Sequence, residues 1–145
     1  MDDVLKNIRS LLLLWSELTA LVGERIRPNG FHSTDGDLAS VMMELPDGRQ
    51  LNVLDRKTAI IEATLILTVR APLAGQAAQI AEVIRSRNTT PCTGLDGFSG
   101  SAGSGFILSC ERMNFETGIE VDDDGDETGN FLHVQGFQIL FKLGG

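Results

Sequence analysis

The chain contains no tyrosine and one tryptophan, Trp15, in 145 residues. Proteins that hold single-stranded nucleic acid stack bases on several aromatic rings, so no such platform is expected here. Positive charge is also scarce: 12 Lys and Arg stand against 20 Asp and Glu, a formal charge of -8. Tight phosphate binding needs the opposite balance, because its affinity comes from basic side chains that displace counterions. Cysteine is limited to Cys92 and Cys110, which form no CxxC pair and have no histidine near either in sequence. Reduced structural thiols are the expectation, not a metal or disulfide framework.

Long apolar runs are missing too. The longest, Leu11 to Trp15, falls far short of the roughly 20 residues that cross a bilayer, and the Met-Asp-Asp start is unlike the basic head of a signal peptide. Neither a membrane anchor nor an export signal is expected. What the chain does have is 42% hydrophobic residues and a moderate share of charge, enough for one compact core. The expectation is a single domain over residues 1–145.

Apolar residues recur at steps of three and four through Val4, Ile8, Leu11, Trp15, Leu18 and Val22, with Leu5, Leu12 and Leu14 widening the stripe. This spacing predicts one helix, opened by acids and closed by Gly23. A loop with Pro28, Gly30 and Gly36 follows, with a short strand possible at Arg25 to Arg27, then an apolar strand from Leu38 to Leu45 that stops at Pro46-Asp47-Gly48. Arg49 to Thr58 reads as a second short strand or a hairpin arm. From Ile60 to Ala71 the pattern alternates: Ile61, Ala63, Leu65, Leu67 and Val69 on one face, Glu62, Thr64, Thr68 and Arg70 on the other. A second helix starts near Pro72, with Ala77, Ile80, Ala81 and Ile84 on the stripe laid against the sheet. Two strands, Phe106 to Phe115 and Phe131 to Leu143, close the chain as an antiparallel pair around an acidic turn. The fold class is therefore α+β: a mostly antiparallel β-sheet packed against two α-helices, with a terminal β-hairpin.

Two segments invite a ligand. Thr90 to Phe106 is rich in Gly and Ser, but phosphate loops lead from a strand into a helix, where N-terminal amides meet the anion. Here the glycines follow a helix and lead into a strand, so a flexible or partner-ordered surface loop is expected. The acidic run from Asp122 to Glu127 fails the EF-hand spacing, since the sixth and twelfth places hold Glu127 and His133 in place of Gly and Glu. A solvated hairpin tip is expected. His32 and His133 sit in no HExxH or nucleophile motif, and no catalytic, cofactor or metal set emerges.

The Leu-rich helix ending in LTALVGERIRP (Leu18 to Pro28), the strand-to-helix passage from Ala63 through Ile84, and the closing strand ending FQILFKL resemble the tail-terminator and tail-completion proteins of long-tailed bacteriophages. The resemblance implies a non-enzymatic virion protein in the tail or neck, without cofactors. It implies a ring, usually hexameric, that caps the head-proximal end of the tail tube, stops its growth and meets the head connector or head-closure protein. DNA would pass through the lumen without specific binding, which suits an acidic chain. Another neck component, for head closure or head–tail joining, is the nearest alternative; a small oligomeric α+β enzyme or ligand-binding protein is the alternative from another class. Candidate assembly contacts are Arg49, Arg56 and Lys57 on the arm from Pro46 to Thr58, Gly100 and Gly103 in the glycine-rich stretch, and Asp122, Asp123, Asp124, Asp126 and Glu127 at the acidic tip.

Overall fold

The computed structural model describes residues 2–36, 38–51 and 58–144. The N-terminal stripe forms two helices, α1 (Asp2–Leu13) and α2 (Ser16–Val22), where the sequence suggested one. At 100° per residue, five successive apolar residues from Leu11 to Trp15 encircle a straight helix, so they cannot all face one core. The chain resolves this by breaking. The N–H groups of Leu14 and Trp15 donate to the carbonyls of Leu11 and Leu12, three residues back, and Trp15 takes an extended backbone with φ −86° and ψ 103°. Trp15 thereby turns inward, 3% exposed, while Leu14, expected on the buried stripe, is 78% exposed. The Trp15 ring then packs 6.3 Å from Phe98, with the Arg87 guanidinium 5.2 Å from its centroid.

Seven strands follow: β1 (Ile26–Pro28), β2 (Ser40–Glu44), β3 (Arg49–Leu51), β4 (Thr58–Ala71), then helix α3 (Ala74–Ser86), and β5 (Gly100–Ala102), β6 (Gly105–Val121) and β7 (Glu127–Gly144). They make one sheet in the order β1-β2-β4-β7-β6-β5, with β3 also paired to β4. Every pairing is antiparallel except β1 with β2. The long central pair sets the core. Ile61, Ala63, Leu65 and Leu67 of β4 stand opposite Phe141, Ile139, Phe137 and Gln135 of β7, and strand alternation puts all eight on the face that meets the helices. Phe137 and Phe141 are fully buried there; cutting either to alanine is expected to cost about 3–5 kcal/mol.

One edge of β4 is shared by two short strands, β3 beside Ile60–Glu62 and β2 beside Ile66–Arg70. Between them Thr64 would lack a partner, and the turn that follows β2 supplies one. The Asp47 carboxylate accepts from the Thr64 N–H at 2.8 Å and from its hydroxyl at 3.0 Å. Those bonds, the backbone one first, hold the Asp47 carboxyl below its ordinary range.

The glycine-rich stretch corrects the expectation of a flexible or partner-ordered loop. It is fastened to its own chain: Leu95 and Asp96 donate their N–H groups to the carbonyls of Ile84 and Arg85 at 2.9 and 3.1 Å, and Gly97 donates to Cys110 at 2.7 Å. The first two bonds satisfy carbonyls at the end of α3 that have no partner within the helix. Leu95 is fully buried as a result. The approach is so close that a side chain at Gly94 would overlap the Arg85 backbone. Cys110 beneath this segment is buried and Cys92 exposed, the two unbonded. Burial, with Asp96 and Glu111 adding to it, pushes the Cys110 thiol up to about 12, which makes it inert.

Gly94→Ala is therefore expected to lower the unfolding free energy by about 1–3 kcal/mol, because packed backbone must move to admit the methyl group. Gly75→Ala, a helical site with open space around it, is expected to raise stability by about 0.5–1 kcal/mol. Chemical denaturation of the two variants checks both signs.

Candidate assembly surface

The strands β6 and β7 run past the end of β4 as a short two-stranded arm, Glu120–Val121 and Glu127–Asn130, since β4 pairs with β7 as far as Ala71 opposite Phe131. The sequence suggested strands ending at Phe115 and starting at Phe131, but pairing continues to Val121 and resumes at Glu127. The interruption that looked like loop, ETGIEV, is strand: its apolar residues sit at alternate places, and only five residues, Asp122–Asp126, are left for the turn. Outside the helical layer nothing covers this alternation. Met113, Phe115, Ile119 and Val121 are each about half exposed, at 57%, 56%, 49% and 54%.

The arm is braced where it leaves the body. Arg70 of β4 reaches Glu120 of β6 at 3.5 Å, while Glu120 accepts from the Thr128 hydroxyl at 2.7 Å and the Asn130 amide at 3.2 Å. Phe31 lies 4.2 Å under the Arg70 guanidinium. Burial alone would push the Glu120 carboxyl up, but the hydrogen bonds from Thr128 and Asn130 and the Arg70 charge outweigh it and hold the group ionised. This partly buried ion pair, with Glu120 also accepting from Thr128 and Asn130, ties the end of β6 to β4, although Arg70 Nε is left without a partner among the described residues.

On the helix side β6, β7 and α3 leave a groove between them. Ala74, Gly75 and Ala78 form one wall and Ile119, Phe131 and His133 the other, around about 520 Å³. It continues into a more polar recess of about 560 Å³ with Glu82, Arg85, Arg112 and Gln135 on its walls. His133 is stacked on Phe115, ring centroids 5.6 Å apart and planes 8° from parallel, and Arg112 lies 5.0 Å from the Phe115 centroid on the same stack. Among the described residues four buried side-chain polar atoms lack partners, and two of them, His133 Nδ1 and Gln135 Oε1, belong to residues that line this recess. A subunit that exposes this much apolar surface beside unpartnered polar atoms has the makings of a contact face.

No protein-family model matches this sequence, and no curated protein matches it. Among solved structures, a chain from the virion of a native gene transfer agent (GTA) particle is similar, with a TM-score of 0.53 and 15% identity over 88% of this chain and 85% of that one. The two share a fold.

The structure scatters the contact residues suggested by sequence. Arg49 lies on β3, exposed, and reaches Glu62 across the strands at 3.3 Å, while Arg56 and Lys57 fall outside the described residues. Gly100 opens β5 at the opposite edge of the sheet. Gly103 turns the β5–β6 hairpin with φ +56°, pressed on Asn7, whose Oδ1 accepts the Ser104 N–H at 2.9 Å. The acids do come together. Asp122, Asp123, Asp124 and Asp126 form the turn and Glu127 begins β7, with Asp122 Oδ1 accepting the N–H groups of Asp124 and Asp126 at 2.9 and 3.0 Å. That carboxylate shapes the turn itself. Phe115, Ile119, Phe131 and His133 were missed; the odd-numbered apolar places of Phe115, Ile119 and Val121 were the available signal. No helix among the described residues is long and apolar enough to cross a membrane, and those residues contain no cluster of three metal-binding side chains.

Burial and then the Arg112 charge hold the His133 imidazole below its ordinary 6.5, with Glu82 opposing weakly. As pH falls below 6.5 the unfolded chain takes up this proton before the folded one, so stability drops from there down to the folded midpoint. An NMR titration is expected to place His133 below 6.5. In Arg112→Gln the midpoint should move part of the way back, because burial remains; an unmoved midpoint would show that Arg112 is not felt.

Proposed function

We propose that this protein is a structural, non-enzymatic component of a phage-like virion: a tail terminator that caps the head-proximal end of the tail tube as an oligomeric, hexameric ring. The observation that carries this reading is the outer part of β6, with its half-exposed apolar residues and the groove between it, β7 and α3. Such a surface is completed by neighbouring proteins. The shared fold with a chain of a gene transfer agent particle supports a virion setting. The tube protein on one side and the connector or head-closure protein on the other are the partners this role requires. The surplus of acid suits a lumen through which DNA slides without being held.

Electron microscopy of lysates from phage carrying a nonsense mutation in this gene tests the role. Overlong tails detached from DNA-filled heads are expected. Free tails of normal length would place the protein in joining, leaking heads in closure, and normal infectious particles would rule out a structural role.

A further inference from the structure

The stretch Asn114–Ile119 of β6 pairs without interruption with Phe131–Gly136 of β7, and register shifts occur on either side of it, at Arg112/Asn114 and Ile119/Val121. Its other edge is bare. β5 pairs with β6 no further than Ile107, the Cys110 carbonyl is taken by Gly97, and the Arg112 N–H is taken at 3.0 Å by the Asp96 carboxylate. Beyond Arg112 no strand among the described residues lies on that side. Proteins blunt such edges with bulges, prolines or very short strands. Here the bulges bracket the stretch and leave it regular, it contains no proline, and Gly118 has open space around it.

The side chains and the charge narrow down what fits. Strand alternation puts Phe115 and Ile119 on the helix side of this edge and Glu116 on the other, each exposed. Between Glu111 and Gly129 the chain has eight of its 20 acids and one of its 12 bases, so seven of the eight surplus negative charges sit on the outer part of β6 and the turn that follows it. A second copy laid alongside would oppose like charge to like. The rest of the chain carries a surplus of one negative charge, so as a whole it offers these acids no net attraction. A second copy is thus a poor occupant of this edge.

We propose that the bare edge of β6 at Asn114–Ile119 is a docking site for an extended segment of a different protein, one whose side chains alternate apolar and basic, added as a further strand of the sheet. Backbone hydrogen bonds to the free edge supply the affinity. Apolar side chains lie beside Phe115 and Ile119, and lysines or arginines beside Glu116 and the acids toward the tip. The acids also keep the edge from pairing with its own kind in the absence of the partner. This deepens the assembly reading by giving the chemistry of one partner, but its test needs no particle.

The probe is a peptide of about eight residues alternating valine and lysine, compared with the same peptide methylated on alternate backbone nitrogens, which keeps its charge but cannot pair. Added to the full chain and followed by hydrogen exchange, the first peptide is expected to protect the outward-pointing amides within Asn114–Ile119 and to bind about tenfold more tightly than the second. Glu116→Lys, at an exposed site, is expected to weaken binding about tenfold and leave the melting temperature unchanged. Equal binding of the two peptides would overturn the proposal by reducing it to attraction of a cation. Protection elsewhere or nowhere, or undiminished binding to Glu116→Lys, would overturn it as well. Protection of Asn114–Ile119 that rises with protein concentration in the absence of peptide would make a second copy the occupant and also overturn it. A nonsense mutant with normal tails would refute capping and leave these outcomes untouched.

Discussion

The structure depends on one register: β4 paired along its whole length with β7, Thr58 opposite Gly144 and Ala71 opposite Phe131. A slip of one residue would turn Leu65, Leu67, Phe137 and Phe141 outward together, because side chains alternate with a period of two. The burial of these residues under α1, α2 and α3 therefore fixes the pairing, and the pairing fixes everything attached to it. At one edge β4 leaves room for β2 and β3 with the Asp47 carboxylate between them. At the other, β7 carries β6, and its first residues, Glu127–Asn130, run past Ala71 at the end of β4.

Much of this was legible in the sequence, and for a plain reason. The alternation from Ile60 to Ala71 and the helical stripe of Ala77, Ile80, Ala81 and Ile84 each express one period with little interruption, and the structure follows both. The N-terminal helix failed where the period failed. Four leucines and a tryptophan in succession satisfy any phase, and only the tertiary demand for a buried Trp15 beside Phe98 decides where the chain breaks.

The glycine-rich stretch and the arm were misjudged for opposite reasons. Glycine in Gly94 serves close approach to the Arg85 backbone, a fact about two distant segments that composition cannot express. This end of β6 looked like loop because Gly118 and the acids around and after it are poor strand formers. Its pairing is imposed by β7 and by the brace of Arg70, Glu120, Thr128 and Asn130, residues separated by up to 60 positions. The groove beside α3 depends on the same long-range geometry. The acidic tip was read as a hairpin end from local chemistry, and that chemistry is local: Asp122 bonds within its own turn.

The uneven placement of charge makes the molecule an electric dipole. The end of the hairpin past β4, Glu120–Asn130, has six acids and no base. At a screening length of ~8 Å an outside charge close to that end feels it more than the rest of the molecule. Near a packed polyanion the torque turns the tip away and presents the nearly neutral body first. A subunit arriving from solution is oriented before any surface touches.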